Sequence, residues 1–302
     1  LKNLFPAQFK IGKKNMLPHG FKYRGSHAPH YHGRNKSLKI QHSKKKRMYL
    51  LNPQTRSFLS EPFSYFISRQ LGGMGMRSDF VFLRMNGKPK GVSWRYWKDR
   101  SDIEFNRRPD GSLLEEANAK HSIIRTEKDW KVVVRPQNKK MRKEYPAEKV
   151  MALFMTLLRE GLIDYIDGVA NIDKFLIWHA HSLIVNSSHQ VHDHNSFFYL
   201  NSADGRLEPI PIDINMGIYE TIDRVNNVKH FNPIIDRLLA NFKFFNQRDQ
   251  IIWKYISNTK KTGDALEYFD DLYRKNIGVF SKSNLISIGT DAPFSNNKVK
   301  KS

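Results

Sequence analysis

The chain has 302 residues, and 51 Lys and Arg against 29 Asp and Glu give it a formal net charge of +22. A hydrophobic content of 39% is enough for a packed core and excludes disorder of the whole chain. The absence of cysteine from the sequence excludes a disulfide framework, thiolate metal ligands and a cysteine nucleophile. No apolar run approaches the roughly 18 residues that a membrane-spanning helix needs, so we expect no membrane span.

The positive charge predicts contact with anions. It fits either a surface that binds polyanions by releasing counterions or a solvated surface around a pocket for an anionic ligand. The basic residues are spread over several runs, among them residues 36–47 and 139–143. We therefore expect polyanion contact of low selectivity and no sequence-specific binding of nucleic acid.

Hydrophobic periodicity predicts a β-rich first half of the chain. Alternating apolar residues indicate strands, helical spacing indicates a helix that Gly72-Gly73 ends, and Asn86-Gly87 is a strong hairpin signal. The predicted elements are strands around Phe21 and Leu38, a helix over 62–71, a hairpin of strands 80–85 and 91–97, and a β-like run at 130–134 within a polar insertion at about 99–142.

The second half is predicted to be helical with one embedded hairpin. Pro146 is placed to begin a helix that carries a single apolar stripe. The predicted elements are helices over 146–162, 173–184, 233–256 and 264–274, and a hairpin of strands 197–200 and 207–212. The sequence thus predicts an α+β fold with a β-rich part over 1–145 and a helical part over 146–302.

Two polar constellations stand out in the helical half. The segment 189–195 places three histidines, one aspartate and one asparagine between an apolar helix and an apolar hairpin, where polar groups are costly to bury without partners. Asp213 follows a strand and is surrounded in sequence by proline, isoleucine and methionine. A desolvated carboxylate needs a cation, and Mg²⁺ with substrate phosphates is a common solution; the alternative is an aspartate that caps the turn at Gly217.

Four motifs in this order resemble the CotH spore-coat kinase family, which is secreted and distantly related to protein kinases. The motifs are Tyr23-Arg24-Gly25 followed by the basic strand 36–40, the helix 63–71 followed by the Asn86-Gly87 turn and the Gly91-Val92 return, the helix and polar loop over 173–198 that contains His194-Asn195, and Pro211-Ile212-Asp213. The resemblance covers residues 21–219.

The resemblance implies an atypical two-lobed protein-kinase-like fold, with a β-rich N-lobe and a helical C-lobe. It implies a kinase that uses ATP and Mg²⁺, or Mn²⁺, and transfers the γ-phosphate to a hydroxyl of a protein Ser/Thr or a glycan. It also implies a secreted or cell-surface location, although a cytoplasmic one stays open.

The resemblance also assigns roles to particular residues. Asp213 resembles the metal-binding aspartate of the family, and Asn195 resembles the asparagine that assists the metal. Lys36 resembles the lysine at the ATP phosphates, with Lys39 as its close competitor, and Arg24 lies on the same nucleotide-binding side. These groups fit phosphoryl transfer, which depends mainly on positioning and on neutralising charge.

The chain departs from the family pattern at the catalytic base. The family has an aspartate five residues before the asparagine, and Gln190 occupies that position here. Asp193 and His189 are therefore the two candidate bases, with Asp193 narrowly preferred. The return strand over 91–97 also lacks the family's glutamate, so the usual lysine–glutamate pair is expected to be absent.

Two other functions remain open from the sequence. The histidines at 27, 30 and 32 share their spacing with those at 189, 192 and 194, and imidazole clusters bind Zn²⁺ and similar metals, which fits a metal-dependent hydrolase. The other alternative is a catalytically degenerate surface or coat protein that binds polyanions. Binding of ATP with Mg²⁺ would distinguish the kinase from both.

Overall fold

The computed structural model describes residues 9–11, 14–16, 20–23, 36–41, 47–51, 59–116, 129–187, 195–214 and 232–282. Arg24, His189 and Asp193 lie outside these ranges, as do the histidines at 27, 30, 32, 192 and 194.

The first half of the chain forms an antiparallel sheet of five strands. A two-stranded hairpin precedes it, and one helix, α1, separates its third and fourth strands in sequence. The elements are β1 Phe9–Ile11, β2 Lys14–Met16, β3 Gly20–Tyr23, β4 Leu38–Gln41, β5 Arg47–Leu51, α1 Ser60–Gln70, β6 Ser78–Met85 and β7 Lys88–Trp97. The sheet order is β3-β4-β5-β7-β6. The predicted strands and the predicted helix of this half are confirmed.

The Asn-Gly hairpin joins β6 and β7 as the sequence predicted. Asn86 and Gly87 have φ angles of 51° and 74°. Two consecutive left-handed residues are typical of the tight turn whose twist matches that of the flanking strands. Asparagine and glycine tolerate this backbone best, which is why the dipeptide is informative.

A second sheet of four strands follows the order β11-β10-β8-β9. Its elements, with the helix α2 that precedes them, are α2 Arg100–Phe105, β8 Gly111–Glu116, β9 Trp130–Val134, β10 Phe197–Asn201 and β11 Leu207–Pro209. The predicted hairpin β10–β11 and the predicted run at β9 are confirmed. The sequence did not predict α2 or β8 inside the polar segment 99–142.

Strand β8 was not predicted because both of its faces are buried, which removes the alternation of apolar and polar residues. Leu113 and Leu114 are adjacent, and each is at most 1% exposed, although they belong to two different buried clusters. Such a strand has no alternation of apolar and polar residues. Gly111 opens β8, where an added Cβ would collide with the Leu200 carbonyl of β10.

The second half supplies most of the helices. They are α3 Lys139–Glu144, α4 Ala147–Glu160, α5 Ile172–Ile184, α6 Pro233–Leu239, α7 Phe242–Ile256 and α8 Thr259–Lys282, with a short 3₁₀ helix at Ile163–Gly168. The single helix predicted over 233–256 is wrong. It is interrupted at Asn241, whose side chain accepts a hydrogen bond from the Lys243 amide at 3.0 Å and so begins α7. None of the described helices is long and apolar enough to cross a bilayer.

One buried cluster, here called the junction cluster, joins the first sheet to the β10–β11 hairpin. Its members come from both halves of the chain, so the open end of the hairpin is packed against the first sheet and α1. The members used below are Tyr49, Tyr65, Trp94, Tyr96, Val185, Phe197, Ile210, Ile212 and Ile214.

Helix α1 is held from two sides. The buried His181 of α5 contacts Ser64 through Nε2, at 2.9 Å from both the hydroxyl and the backbone carbonyl oxygen. Burial lowers the pKa of His181 to about 4, so the ring is neutral at physiological pH. On the other side, Phe66 stacks on Tyr268 of α8 with ring centroids 4.1 Å apart. Helix α1 therefore has a fixed position behind the first sheet.

Candidate active site

Asn195 and Asp213 lie at the same end of the β10–β11 hairpin. Phe198 is paired with Pro209, and the Ile210 amide donates to the Phe197 carbonyl at 2.8 Å. Continuing this antiparallel register places Asn195 just before one strand and Asp213 just after the other. Asn195 lies two residues before β10 and Asp213 four residues after β11, so both residues to which the family resemblance assigned the metal follow the open end of the hairpin.

Both residues have a left-handed backbone. The φ angle is 68° at Asn195 and 59° at Asp213. A side chain in this conformation costs roughly 1 kcal/mol, although asparagine and aspartate tolerate it better than other residues. Non-glycine residues held in this way cluster at functional sites because the surrounding packing must enforce the conformation.

The packing that enforces the conformation at Asp213 is visible on either side of it. Ile212 is 6% exposed and Ile214 is fully buried, and both belong to the junction cluster. Asp213 itself is half-buried. Its backbone is therefore anchored by two apolar neighbours.

The structure separates the two candidate lysines. Lys39 is opposite Tyr49 in the β4–β5 register, so the two side chains share a face of the sheet, and the Lys39 Nζ lies 5.6 Å from the Tyr49 ring centroid. Lys36 precedes β4 and is exposed, with its Nζ 5.2 Å from the centroid of Tyr23. Lys39, rather than Lys36, thus lies on the face that carries the junction cluster.

A row of aromatic rings continues from Tyr49 to helix α1. Ring centroids are 4.9 Å apart for Tyr49 and Tyr96, 4.7 Å for Tyr96 and Trp94, and 6.2 Å for Trp94 and Tyr65. The Tyr65 hydroxyl then donates to the carboxylate of Glu61 at 2.6 Å. The row joins the sheet face that carries Lys39 to a carboxylate on α1.

Glu61 is a residue that the sequence analysis missed. It is only 4% exposed, which is rare for a glutamate. The family resemblance pointed to a glutamate only in the return strand, after Gly91-Val92, where the chain has none. The sequence feature that could have identified Glu61 is its position in the first turn of α1, the helix between β5 and β6.

Strand β11 is fixed by a buried ion pair. Glu208 is 4% exposed, and its carboxylate lies 2.9 Å from Arg108 Nη2. Arg108 and Lys174 both donate to the carbonyl of Gly72, at 3.2 and 2.7 Å. Desolvation raises the pKa of Glu208, while the charges of Arg108 and Lys174 oppose that rise. The pair ties the strand that leads to Asp213 to the end of α1.

Some predicted residues fall outside the described ranges. Arg24, His189 and Asp193 do so, and the identity of the catalytic base therefore stays a prediction. The two histidine groups of the hydrolase alternative also fall there. Within the described ranges, no three His, Asp or Glu side chains form a group that could hold a metal ion.

Comparison with known proteins assigns the family. The family model described as CotH kinase protein matches residues 21–276, so the chain belongs to the CotH kinase protein family. The resemblance seen in the sequence motifs is confirmed over a longer stretch than those motifs cover. A search of curated proteins finds no match.

Among solved structures, the chain is similar to one in the Shewanella oneidensis MR-1 complex of the toxin–antitoxin proteins HipA and HipB with operator DNA. The two chains are 12% identical, and the match covers 83% of this chain and 62% of the other, with a TM-score of 0.31. This chain thus spans less than two thirds of that chain. At this TM-score the similarity does not bear on the activity.

Proposed function

We propose that the protein is a kinase that transfers the γ-phosphate of ATP, with Mg²⁺, to a hydroxyl acceptor. The observation that carries the proposal is the shared position of Asn195 and Asp213 at the open end of the hairpin, each in a left-handed backbone. Membership of the CotH kinase protein family supports it.

The donor set at this end fits Mg²⁺. Carboxylate and carboxamide oxygens are ligands for this hard cation, which keeps few protein ligands and several waters or phosphate oxygens. Asp213 and Asn195 would hold it, with Asp213 supplying the charge. When bound, the ion neutralises the charge on the phosphates during transfer.

Lys39 is the lysine that we propose at the ATP phosphates. Its Nζ lies over the ring of Tyr49, 5.6 Å from the centroid, and that ring is itself stacked on Tyr96. A lysine held in this way offers a positioned charge at little entropic cost. Lys36 is exposed and lies before the strand.

The acceptor that we propose is a hydroxyl of a protein Ser/Thr or of a glycan, with Asp193 or His189 as the base. We propose a secreted or cell-surface location, as the family resemblance implied. The high positive charge would favour contact with anionic polymers there.

Calorimetric titration with ATP and MgCl₂ tests the proposal on a matched pair of variants. Lys39→Met is expected to weaken binding about tenfold or more, the loss expected for one charged contact, and Lys36→Met is expected to bind as the wild type does. The reverse pattern would transfer the role to Lys36. A wild-type chain that binds no ATP and labels neither itself nor casein from γ-labelled ATP would leave the degenerate binding module as the better description.

A further inference from the structure

A cavity lies at the closed end of the same hairpin, away from Asn195 and Asp213. It has a volume of about 440 Å³, within the range of roughly 300–1,000 Å³ typical of small-molecule sites. Its walls are the 3₁₀ helix Ile163–Gly168, the beginnings of α5 and α7, and Arg206 from the hairpin. None of the residues assigned to phosphate transfer lines it.

The cavity offers hydrogen-bond acceptors and donors side by side. Asp164 and Asp173 are exposed carboxylates in its wall, and Arg206 supplies a guanidinium. Gln247 adds a carbonyl oxygen, Oε1, that is buried and has no hydrogen-bond partner among the described residues. Gln247 thus contributes a carboxamide side chain to the polar wall.

Apolar surface completes the wall. The ring of Phe244 is half-buried beside Ile163 and Ile172. An aromatic ring next to polar groups can stack on a ligand that has both a hydrophobic face and a polar edge. The cavity is thus suited to a ligand of mixed character.

The charges argue against a simple ion as the ligand. Arg206 already lies 3.5 Å from Asp167 and 3.0 Å from Asp204, so its charge is largely compensated. Lys243 also lines the cavity, but the three lining carboxylates, Asp164, Asp167 and Asp173, outnumber the two lining cations, Arg206 and Lys243. The net negative charge of the wall disfavours a phosphate or sulfate. A metal ion is also disfavoured, because the described carboxylates do not converge into a metal-binding group.

We propose that this cavity binds a neutral saccharide of one or two rings. Each sugar hydroxyl both donates and accepts a hydrogen bond, which matches alternating carboxylate, amide and guanidinium groups, and the C–H face of the ring matches Phe244. Ile212 lies six residue steps after Arg206, or about 20 Å along an extended chain at about 3.3 Å per residue. The cavity is therefore a saccharide-docking site apart from the proposed phosphate-transfer end, and it is independent of the proposed activity.

A glycan microarray probed with the whole chain, without ATP or metal, tests the site. We expect selective retention of at least one neutral oligosaccharide, whose affinity is then measured by calorimetry. Asp164→Ala and Gln247→Ala should each weaken that affinity about tenfold, which corresponds to roughly 1.4 kcal/mol. The exposed Asp264 of α8 provides the matched control Asp264→Ala, which should bind as the wild type does.

Asp213→Asn should also retain the saccharide, which separates this site from the proposed kinase activity. Circular dichroism of every variant establishes that it is folded. The proposal is overturned if the array retains no neutral glycan, if both cavity variants bind as tightly as the wild type, or if Asp264→Ala loses affinity equally. Displacement of the saccharide by millimolar inorganic phosphate would instead indicate an anion site.

Discussion

The two ends of the β10–β11 hairpin both contain residues with a left-handed backbone, but the residue types differ. At the closed end, the left-handed residue is Gly205, with a φ angle of 73°. At the open end, the left-handed residues are Asn195 and Asp213. Glycine adopts this backbone at almost no steric cost, whereas the other two residues do so at a cost in stability.

Glycine at the closed end and side chains at the open end reflect different requirements at the two ends. A tight turn at the closed end requires only the conformation, and an added Cβ at Gly205 would collide with the ring of Tyr145. At the open end the conformation is kept although glycine would adopt it more readily. The carboxylate of Asp213 and the carboxamide of Asn195 at these positions fit the proposed cation site.

The largest expected effect is on activity at the open end. Asp213→Asn removes one charge at nearly constant shape, and turnover of γ-labelled ATP should fall about 10²- to 10³-fold, as for the loss of one electrostatic contact to a transition state. Asp204→Asn, at the closed end, is the matched control and should keep wild-type turnover. Equal losses in the two variants would contradict the functional difference between the ends.

The next effect concerns the strand between the two ends. Arg108→Met leaves the buried carboxylate of Glu208 without its ion-pair partner, which should lower the free energy of unfolding by about 3 kcal/mol at pH 7. Burial already raises the pKa of Glu208, and loss of Arg108 raises it further. A carboxyl group whose pKa is higher in the folded than in the unfolded protein stabilises the fold when it is protonated. For Glu208 this stabilisation is complete below the unfolded pKa of 4.5 and is lost as the pH rises through the folded pKa.

Urea unfolding at several pH values measures this effect. The deficit of Arg108→Met relative to the wild type should be small near pH 4.5 and should grow toward pH 7. Lys131→Met is the control, because it removes an ion pair with Glu115 in which the Lys131 side chain is 47% exposed. This change should alter stability little at either pH. A deficit that is constant with pH would show that the carboxylate of Glu208 is not the cause.

Gly205→Ala should be the most destabilising change at the closed end. The added methyl group meets Tyr145 and requires a left-handed alanine, so we expect a loss of about 2–3 kcal/mol by urea unfolding. Gly168→Ala is a useful control, because nothing lies within 4 Å of the Cβ position there. A Gly205→Ala variant as stable as the wild type would show that Tyr145 does not require glycine at this position.

The smallest effect isolates the backbone at the open end. Asp213→Gly and Asp213→Ala both lose the carboxylate. Only the alanine variant still pays the free-energy cost of a left-handed backbone, because glycine has no Cβ. Asp213→Gly should therefore be more stable than Asp213→Ala by about 1 kcal/mol, and both should lack activity. A more stable alanine variant in thermal unfolding would show that the backbone at Asp213 is not strained.

The sequence predicted those parts of the fold that depend on local signals. The apolar stripe of α4 and the Asn86-Gly87 turn are examples, because helical periodicity and turn chemistry act over a few residues. Asp213 was proposed from the sequence because a lone carboxylate in an apolar run is conspicuous. The interruption at Asn241 was missed, although asparagine is a strong helix-capping residue.

Features that depend on pairing between distant segments were not predictable. The position of Lys39 on the face of Tyr49 follows from strand register, and the burial of Glu61 follows from packing of α1 under the sheet. Leu113 and Leu114 of β8 are buried because each side chain packs into a different hydrophobic cluster. No local pattern encodes these neighbours, so the sequence alone left the choice between lysines open.

The contact between α1 and α8 has a consequence for the order of folding. Gln70 of α1 and Lys261 of α8 exchange hydrogen bonds across 191 positions of the chain. During synthesis, the rings of Phe63 and Phe66 on α1 lack their partners Phe269 and Tyr268 until α8 has left the ribosome, and contacts at such separation form slowly. We therefore expect nascent chains that stop before residue 259 to bind chaperones and to be digested by proteases at α1, while the helical core around α4 and α5 is already protected.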